Sequence, residues 1–378
     1  MGVVTLSHLK RRRARLAIAA AALTATAALT ATVAAPASAG PNPIPGINGV
    51  WGVPNLTGMA KPVNWITGLN SINNTAQYAV LGADLGITWD DGHGRILSVF
   101  GDSASFNPLS WVQNRSFFAW RSNVIFTSHT RDLSRGMYFD GAITDFPGHA
   151  KELLTPQIGA EITKIPTSAM AINGKQYMTW MDVTRWPGGN TWDTKFSAIA
   201  VSGDGGQNWS ELPNTVRPSA GGNFNFQMQS LLRVGNTIYV YGTPAGRNGM
   251  VYLARVDANR FTDLGAYSYW SHGKWVPKNP NVASPVNVKP TGELSVAWNA
   301  YLGKYIMLST NPAIMMQTAS SPEGPWSAPR TIINSGEMVS AYAPYIHPWS
   351  TGSNLYFTVS QYQNYNVLLA RLPLAQFK

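Results

Sequence analysis

The sequence predicts an all-β fold, most economically a five-bladed β-propeller, with a β-sandwich as the alternative. Three observations carry that prediction. With 35 Gly and 25 Pro, 14 Trp, 15 Tyr and 13 Phe, and only 12% charged residues, the composition suits many strands and turns. No stretch keeps a helical period over three turns. A loose unit of strand, short glycine turn, strand, loop and outer strand recurs five times.

The first unit is a hairpin over Val80 to Ser103, VLGADLGITWDDGHGRILSVFGDS, turning at Asp90-Asp91-Gly92-His93-Gly94 and followed by Ser122 to Ser128 and Gly136 to Ile143. In the second, Ala169 to Ile172 turns at Asn173-Gly174-Lys175 into Gln176 to Val183, then Phe196 to Val201. The third joins Phe226 to Val234 and Thr237 to Gly242 through Gly235-Asn236, then Met250 to Val256. The fourth joins Leu294 to Asn299 and Tyr305 to Thr310 through Leu302-Gly303-Lys304, then Met315 to Ala319. The fifth has Tyr342 to Pro348, Leu355 to Gln361 and Asn366 to Leu372. Turn glycines Gly174, Gly235, Gly303 and Gly352 lie about 50 to 70 residues apart, the size of a propeller blade with variable loops.

Residues 1–39 read as an export signal outside the fold, 40–75 as an extended Pro/Gly-rich lead-in, and 76–378 as a single domain. Lys10 to Arg15 supply the positive start, an Ala- and Thr-rich stretch follows, and Ala37-Ser38-Ala39 fits a cleavage site before Gly40. Removing that segment takes five cations and no acids, which lowers the net charge from +10 to about +5. No Lys/Arg cluster remains, which argues against nucleic acid, and no stable membrane anchor is expected. The expected product is a secreted monomer, free or associated with a cell wall. With no cysteine there is no disulfide and no thiolate or zinc-thiolate chemistry, so stability rests on a large core.

Most of the 18 acids sit in Gly/Asn/Ser turns, where a capping or solvated role is the default. Asp84, Asp102, Asp182 and Glu293 instead lie within or at the ends of apolar strands. His93 stands midway between Asp84 and Asp102, so a symmetric hairpin places these two acids opposite each other on one side of the sheet. Two carboxyls that close do not both ionise at ordinary pKa values; one stays protonated beside an anion, the arrangement glycoside hydrolysis uses. In a propeller, first-strand starts and second-strand ends open on the same face. That face should also gather Gln227, Gln229, Arg247, Asn311, Gln361 and His347. Trp180, Trp186, Trp192 and Trp270 are candidate platforms for sugar rings.

Plainer roles stay open at this level. Asp84 can bond the Gly86 turn and Asp102 can cap Ser103 and Ser105; Asp182 and Glu293 divide between substrate contact, catalysis and structure. No metal-ligand spacing is present, and no cofactor is expected beyond the open question of an ion on the axis. Ser202 to Trp209 fits S-x-D-x-G-x-x-W and resembles the Asp-box of sialidase-like propellers, where Asp204 bonds its own turn and Trp209 packs; Ser321 to Trp326 looks like a degenerate copy.

The segments GADLGITW (Gly82 to Trp89), FGDS (Phe100 to Ser103), MDVTRWPGGNTWDT (Met181 to Thr194), YGTPAGRNG (Tyr241 to Gly249), GELSVAWNAYLGKYIML (Gly292 to Leu308) and SSPEGPWSAP (Ser320 to Pro329) resemble, in order, an actinobacterial family known as domain of unknown function 4185. That family includes endo-D-arabinanases of glycoside hydrolase family 183. The resemblance implies a five-bladed propeller that cuts internal α-D-arabinofuranosyl links of mycobacterial-type arabinogalactan or lipoarabinomannan. Carried across by position, it places the catalytic acids on Asp84 and Asp102 and a further pocket acid on Glu293; the Thr that usually precedes the first Asp is Ala83 here. The reading of the residues adds Asp182, Arg247, Gln227, Trp186 and Asn311 as substrate contacts, with Asp102 as nucleophile and Asp84 as general acid/base. The rivals are a propeller glycosidase of other specificity and a non-catalytic wall-binding propeller.

Overall fold

A computed structural model of the chain describes residues 52–106 and 118–378. The export signal expected at residues 1–39 lies outside them. Among the described residues the fold is all-β: strands are joined by turns and by 3-10 helices of three to six residues. No helix among them is long and apolar enough to cross a membrane.

Among the described residues five antiparallel sheets of four or more strands follow one another along the chain, and two smaller sheets have two and three strands. The first holds Ile87–Asp90, Ile96–Phe100, Val124–Ser128 and Gly141–Ala142. The second holds Thr163–Ile172, Lys175–Gly188, Thr191–Ser202 and Ser210–Pro218. Met228–Val234, Thr237–Thr243 and Gly249–Asp257 begin the third, which Ser268–Ser271, Lys274–Pro277 and Asn287–Thr291 extend. The fourth holds Leu294–Asn299, Lys304–Thr310, Ile314–Ala319 and Arg330–Ile333. Ala341–Ile346, Asn354–Gln361 and Asn366–Pro373 make most of the fifth. Turn chemistry sets these registers: Asn173 (φ 51°) and Gly174 (φ 77°) are both left-handed, the pair of conformations a two-residue hairpin turn needs.

Each sheet is apolar on both faces, so each must cover two neighbours. Trp89, Leu97 and Ile125 of the first pack on Met178, Trp180 and Ala200 of the second. Ile172 and Ile199 meet Leu231 and Val240 of the third, and Tyr241 and Leu253 meet Val296 and Met307 of the fourth. Ile306 and Met316 then meet Phe357 and Leu368 of the fifth, whose Val367 and Leu369 return to Phe100, Val124 and Phe126 of the first. The first strands of successive sheets are tied by one repeated bond. Leu231 N donates to Ser168 Oγ (3.1 Å), Val296 N to Ser230 Oγ (3.1 Å) and Ile346 N to Ser295 Oγ (2.9 Å).

The lead-in is not wholly extended surface chain. Lys61–Trp65, inside the expected 40–75 segment, pairs antiparallel with Asn366–Pro373 and completes the fifth sheet. No local signal marks it, because its partner lies some three hundred residues on and its hydrogen bonds are satisfied only there. The Asp-box turn follows its expected form. Asp204 accepts from Ser202 Oγ (2.8 Å), Asn208 N (3.0 Å) and Asn208 Nδ2 (2.8 Å), and the Asn208 bonds hold its carboxyl down at about 2. Trp209 Nε1 donates to Gly206 O (3.0 Å), and its ring meets Trp89 edge-on at 6.4 Å.

Candidate functional site

The opening hairpin keeps one register from its turn to its ends. Asp90 pairs with Ile96 and Ile87 with Val99, and beyond a kink Ala83 pairs with Ser103 and Gly82 with Ala104. Asp84 and Asp102 stand opposite each other in that register, at the interruption between the two ladders. The kink is made by Leu85 (φ 67°) and Gly86 (φ 74°), both left-handed, while the Asp84 carbonyl accepts from Gly86 N (3.0 Å) and Gly101 N (3.1 Å). Leu85 is a non-glycine residue in that region, as are Ala343 (φ 51°) and Tyr365 (φ 51°), which flank the same acid from the fifth sheet. Strained backbone gathered at one carboxyl is a mark of a functional site.

The two carboxyls are held differently. Asp84 Oδ2 accepts from Tyr342 Oη at 2.9 Å, while Oδ1 is buried with no hydrogen-bond partner among the described residues and lies against Gly101 and Leu85. Burial, then the charge of Asp102, then that of Glu293 push the Asp84 pKa far above the carboxylate range, against hydrogen bonds from Tyr342 and Tyr365. Asp102 accepts from Thr163 Oγ1 and from the Trp120 side chain. Burial raises it only to about 6, because those two donors favour its anion. Of the two, Asp84 is the acid that its surroundings favour as the holder of the proton and Asp102 the one they favour as the anion.

Beside the pair, Glu293, one residue before the first strand of the fourth sheet, receives a fork from Arg247: Nη2 at 2.6 Å and Nε at 3.0 Å. The guanidinium is wedged between the rings of Tyr342 (5.0 Å) and Trp192 (5.4 Å), and its Nη1 donates to Asn190 Oδ1 (3.0 Å). Trp186 lies 5.7 Å from Trp192 on the same long hairpin, half-buried, and Asn311 Nδ2 holds the Arg247 carbonyl (2.8 Å). With Arg247 neutralised by Glu293, the wall beside the acids is aromatic and amide in character.

Three candidates from the sequence stand elsewhere or serve another purpose. Asp182 is fully buried and not at a strand end, because its strand runs on to Gly188. Its charged neighbours are Glu161, Lys195, Lys164 and Glu211 rather than the acid pair. The Gln227 amide is engaged by Thr194 Oγ1 (2.9 Å), Arg217 O (3.1 Å) and Asn223 O (3.0 Å), so it braces the 221–226 turn rather than facing a ligand. His347 is buried beside Trp349, which bonds Asp90 at the far end of the hairpin strand from Asp84, and burial lowers it to about 3. Of the proposed platforms, Trp180 is fully buried, and Trp270 packs on Trp275 in the outer strands of the third sheet. Tyr342, Tyr365, Trp120, Thr163 and Asn190 were not foreseen. Among the described residues no three His, Asp or Glu side chains converge as a metal site.

Asp182 supports a stability test. Neither carboxylate oxygen has a hydrogen-bond partner among the described residues, and burial raises the group to about 6, above the ordinary value near 3.9. Below about pH 4 the group is protonated folded or unfolded and costs nothing; as pH rises through 6 the folded protein must bury a charge. Asp182→Asn should therefore raise the melting temperature at pH 8, by the equivalent of roughly 1–3 kcal/mol, and leave it unchanged at pH 4. Equal shifts at both pH values in thermal denaturation would refute this.

Among curated proteins, the chain is 29% identical over 308 residues to "Notoamide biosynthesis cluster protein J'" of Aspergillus versicolor, spanning 76% of this chain and 82% of that one. It is 29% identical over 310 residues to "Notoamide biosynthesis cluster protein J" of Aspergillus sp. (strain MF297-2), spanning 76% and 81%. Both of these relatives come from Aspergillus. Among solved structures, a putative hydrolase from Bacteroides ovatus superposes with a TM-score of 0.55 at 14% identity, over 87% of this chain and 95% of that one. An exo-beta-1,3-galactanase from Phanerochaete chrysosporium gives 0.52 at 12% identity, over 84% and 65%. At such identities the likeness is one of fold. The family model described as "Domain of unknown function (DUF4185)" matches residues 70–371, and the chain belongs to that family.

Proposed function

We propose that the chain is an endo-acting glycoside hydrolase on a five-bladed β-propeller, cutting internal α-D-arabinofuranosyl links of mycobacterial-type arabinogalactan or lipoarabinomannan. The observation that carries the reading is the pair of opposed acids in unequal surroundings, Asp84 holding a proton and Asp102 held as an anion. Five apolar interfaces, each between successive sheets and the last between the fifth and the first, support the propeller; a sandwich would have one core between two sheets. The fold shared with the galactanase supports a glycan substrate. The choice of D-arabinan rests on the sequence motifs.

In the proposed reaction Asp102 attacks the anomeric carbon as Asp84 gives its proton to the departing glycosidic oxygen. The resulting glycosyl ester is then hydrolysed by water, whose proton returns to Asp84. The opposed positions in one register support the short carboxyl separation of a retaining enzyme, about 5 Å. The rate should rise with pH through about 6, as Asp102 loses its proton, and fall at higher pH, as Asp84, raised by burial and by the Asp102 charge, loses its own. A kcat/KM profile with its acid limb near 4 would contradict these roles.

Incubation with purified D-arabinan, read by oligosaccharide mass and new reducing ends, tests the whole proposal: a ladder of internal fragments is expected. Binding without new ends would select a wall-binding propeller instead. Cleavage of another glycan alone would select a glycosidase of other specificity. We also propose export through residues 1–39 as a monomer that meets polysaccharide rather than nucleic acid or membrane. A mature N-terminus at Gly40 is the expected result.

A further inference from the structure

We propose that Tyr342 is the positioning residue that aims the Asp84 carboxyl for proton transfer, and that Arg247 acts on the reaction chiefly by holding Tyr342. Tyr342 is the second residue of the first strand of the fifth sheet, Ala341–Ile346, while Glu293 comes just before the first strand of the fourth. Its hydroxyl supplies the 2.9 Å bond to Asp84 Oδ2, while the other oxygen has only the space left by Gly101. One side of the carboxyl is thus defined by a donor and the other by a missing side chain, and Tyr365 adds a second side-chain hydrogen bond to the group. The phenol ring carries Arg247 at 5.0 Å, Arg247 is in turn forked onto Glu293, and the next residue of the strand is pinned where Ala343 N donates to Thr310 Oγ1 at 2.9 Å. The charged and titratable groups facing Asp84 are Asp102, Glu293, Arg247, Tyr342 and Tyr365. Tyr342 is the one with the 2.9 Å bond. Burial and the Asp84 charge keep its hydroxyl protonated, so it donates and does not serve as a phenolate nucleophile.

The kinetic arm of the test rests on the proposed hydrolysis; a spectroscopic arm does not. In Tyr342→Phe the ring and its contact with Arg247 remain and only the hydroxyl goes. On the polymer, kcat should fall by about 10- to 100-fold with KM within about twofold, and the loss should be smaller on an aryl glycoside whose leaving group needs little protonation. The alkaline limb should move to higher pH, because Asp84 loses a donor that favours its anion. Without substrate, the protonated-carboxyl infrared band of Asp84, assigned by difference from Asp84→Asn, should titrate at higher pH in Tyr342→Phe than in the wild type. Incorporating 3-fluorotyrosine at 342, a stronger donor of nearly the same shape, should move it the other way and serves if the phenylalanine variant does not fold. An unchanged infrared midpoint in either variant, or full kcat with an unmoved limb in Tyr342→Phe, overturns the proposal. A wild type that cleaves no glycan removes the proposed function and leaves the infrared result to decide the role of Tyr342.

Discussion

Asp102→Asn should abolish turnover, lowering kcat by about 10⁴-fold or more, while the protein stays folded. The amide keeps an oxygen for the Thr163 hydroxyl and nearly the volume of the carboxylate, so one hydrogen bond survives. The Trp120 donor then faces either that oxygen or an NH2, and one imperfect contact costs about 1 kcal/mol. What is lost is the anion, and an amide cannot take its place at the anomeric carbon. The neighbour responds too: without the Asp102 charge, Asp84 loses one of the causes that raise it, so its pKa should come down. The measurement is kcat on D-arabinan at pH 7 beside a thermal melt of the same preparation. Retained melting with undiminished cleavage would remove Asp102 from the reaction altogether.

The opening hairpin was legible because two independent local signals agreed. A run of Asp and Gly marked the turn, and apolar strands of equal length flanked it, so a register symmetric about His93 followed by counting and is the register in the structure. The same pairing of turn and alternation located four more sheets, with the strand Leu294–Asn299 found to the residue. Reading failed where a bond had no local sign. Lys61–Trp65 takes its identity from Asn366–Pro373, and nothing near it in the chain announces that partner. Asp182 was misplaced because Val183 looked like a strand end; the hairpin in fact continues through polar residues to Gly188, so the acid lies mid-strand inside the protein. The position of Gln227 alone does not tell that its amide satisfies backbone carbonyls of the preceding strand and turn, Arg217 O and Asn223 O.

The missed tyrosines show a different limit. Asp84 and Glu293 stand out in the sequence as acids at the start of apolar strands; Tyr342, the second residue of Ala341–Ile346, carries no such charge signal. It was passed over because acids alone were counted, although a buried carboxyl needs a donor as much as a charge. Tyr365 and Trp120 were beyond such a rule. Tyr365 comes from the turn before Asn366–Pro373 and Trp120 from Phe118–Arg121, the strand paired with Ser103–Phe106, and their rings meet at 5.5 Å only in the folded chain.

Gly101→Ala should reduce activity nearly as far as loss of Asp84 itself, by about 10²- to 10⁴-fold, with a stability cost of only about 1–3 kcal/mol. Gly101 is not among the glycines held at positive φ, so an alanine meets no backbone strain there. The obstacle is space alone. An added Cβ would overlap Asp84 Oδ1 and come within 2.8 Å of Leu85 Cδ1. Leu85 is the left-handed residue of the kink, tied by its N–H to Ser360 Oγ at 2.8 Å, so it yields little. The carboxyl yields instead, turning away from Gly101 and breaking its 2.9 Å bond with Tyr342. A methyl group that touches no substrate thereby removes the acid from its place while Asp102, Thr163 and the sheets stay put. Loss of turnover on the polymer, partial survival on an aryl glycoside with a good leaving group, and a melting temperature within a few degrees of wild type make the expected pattern. Full activity in Gly101→Ala would mean that the position of Asp84 has no part in the reaction.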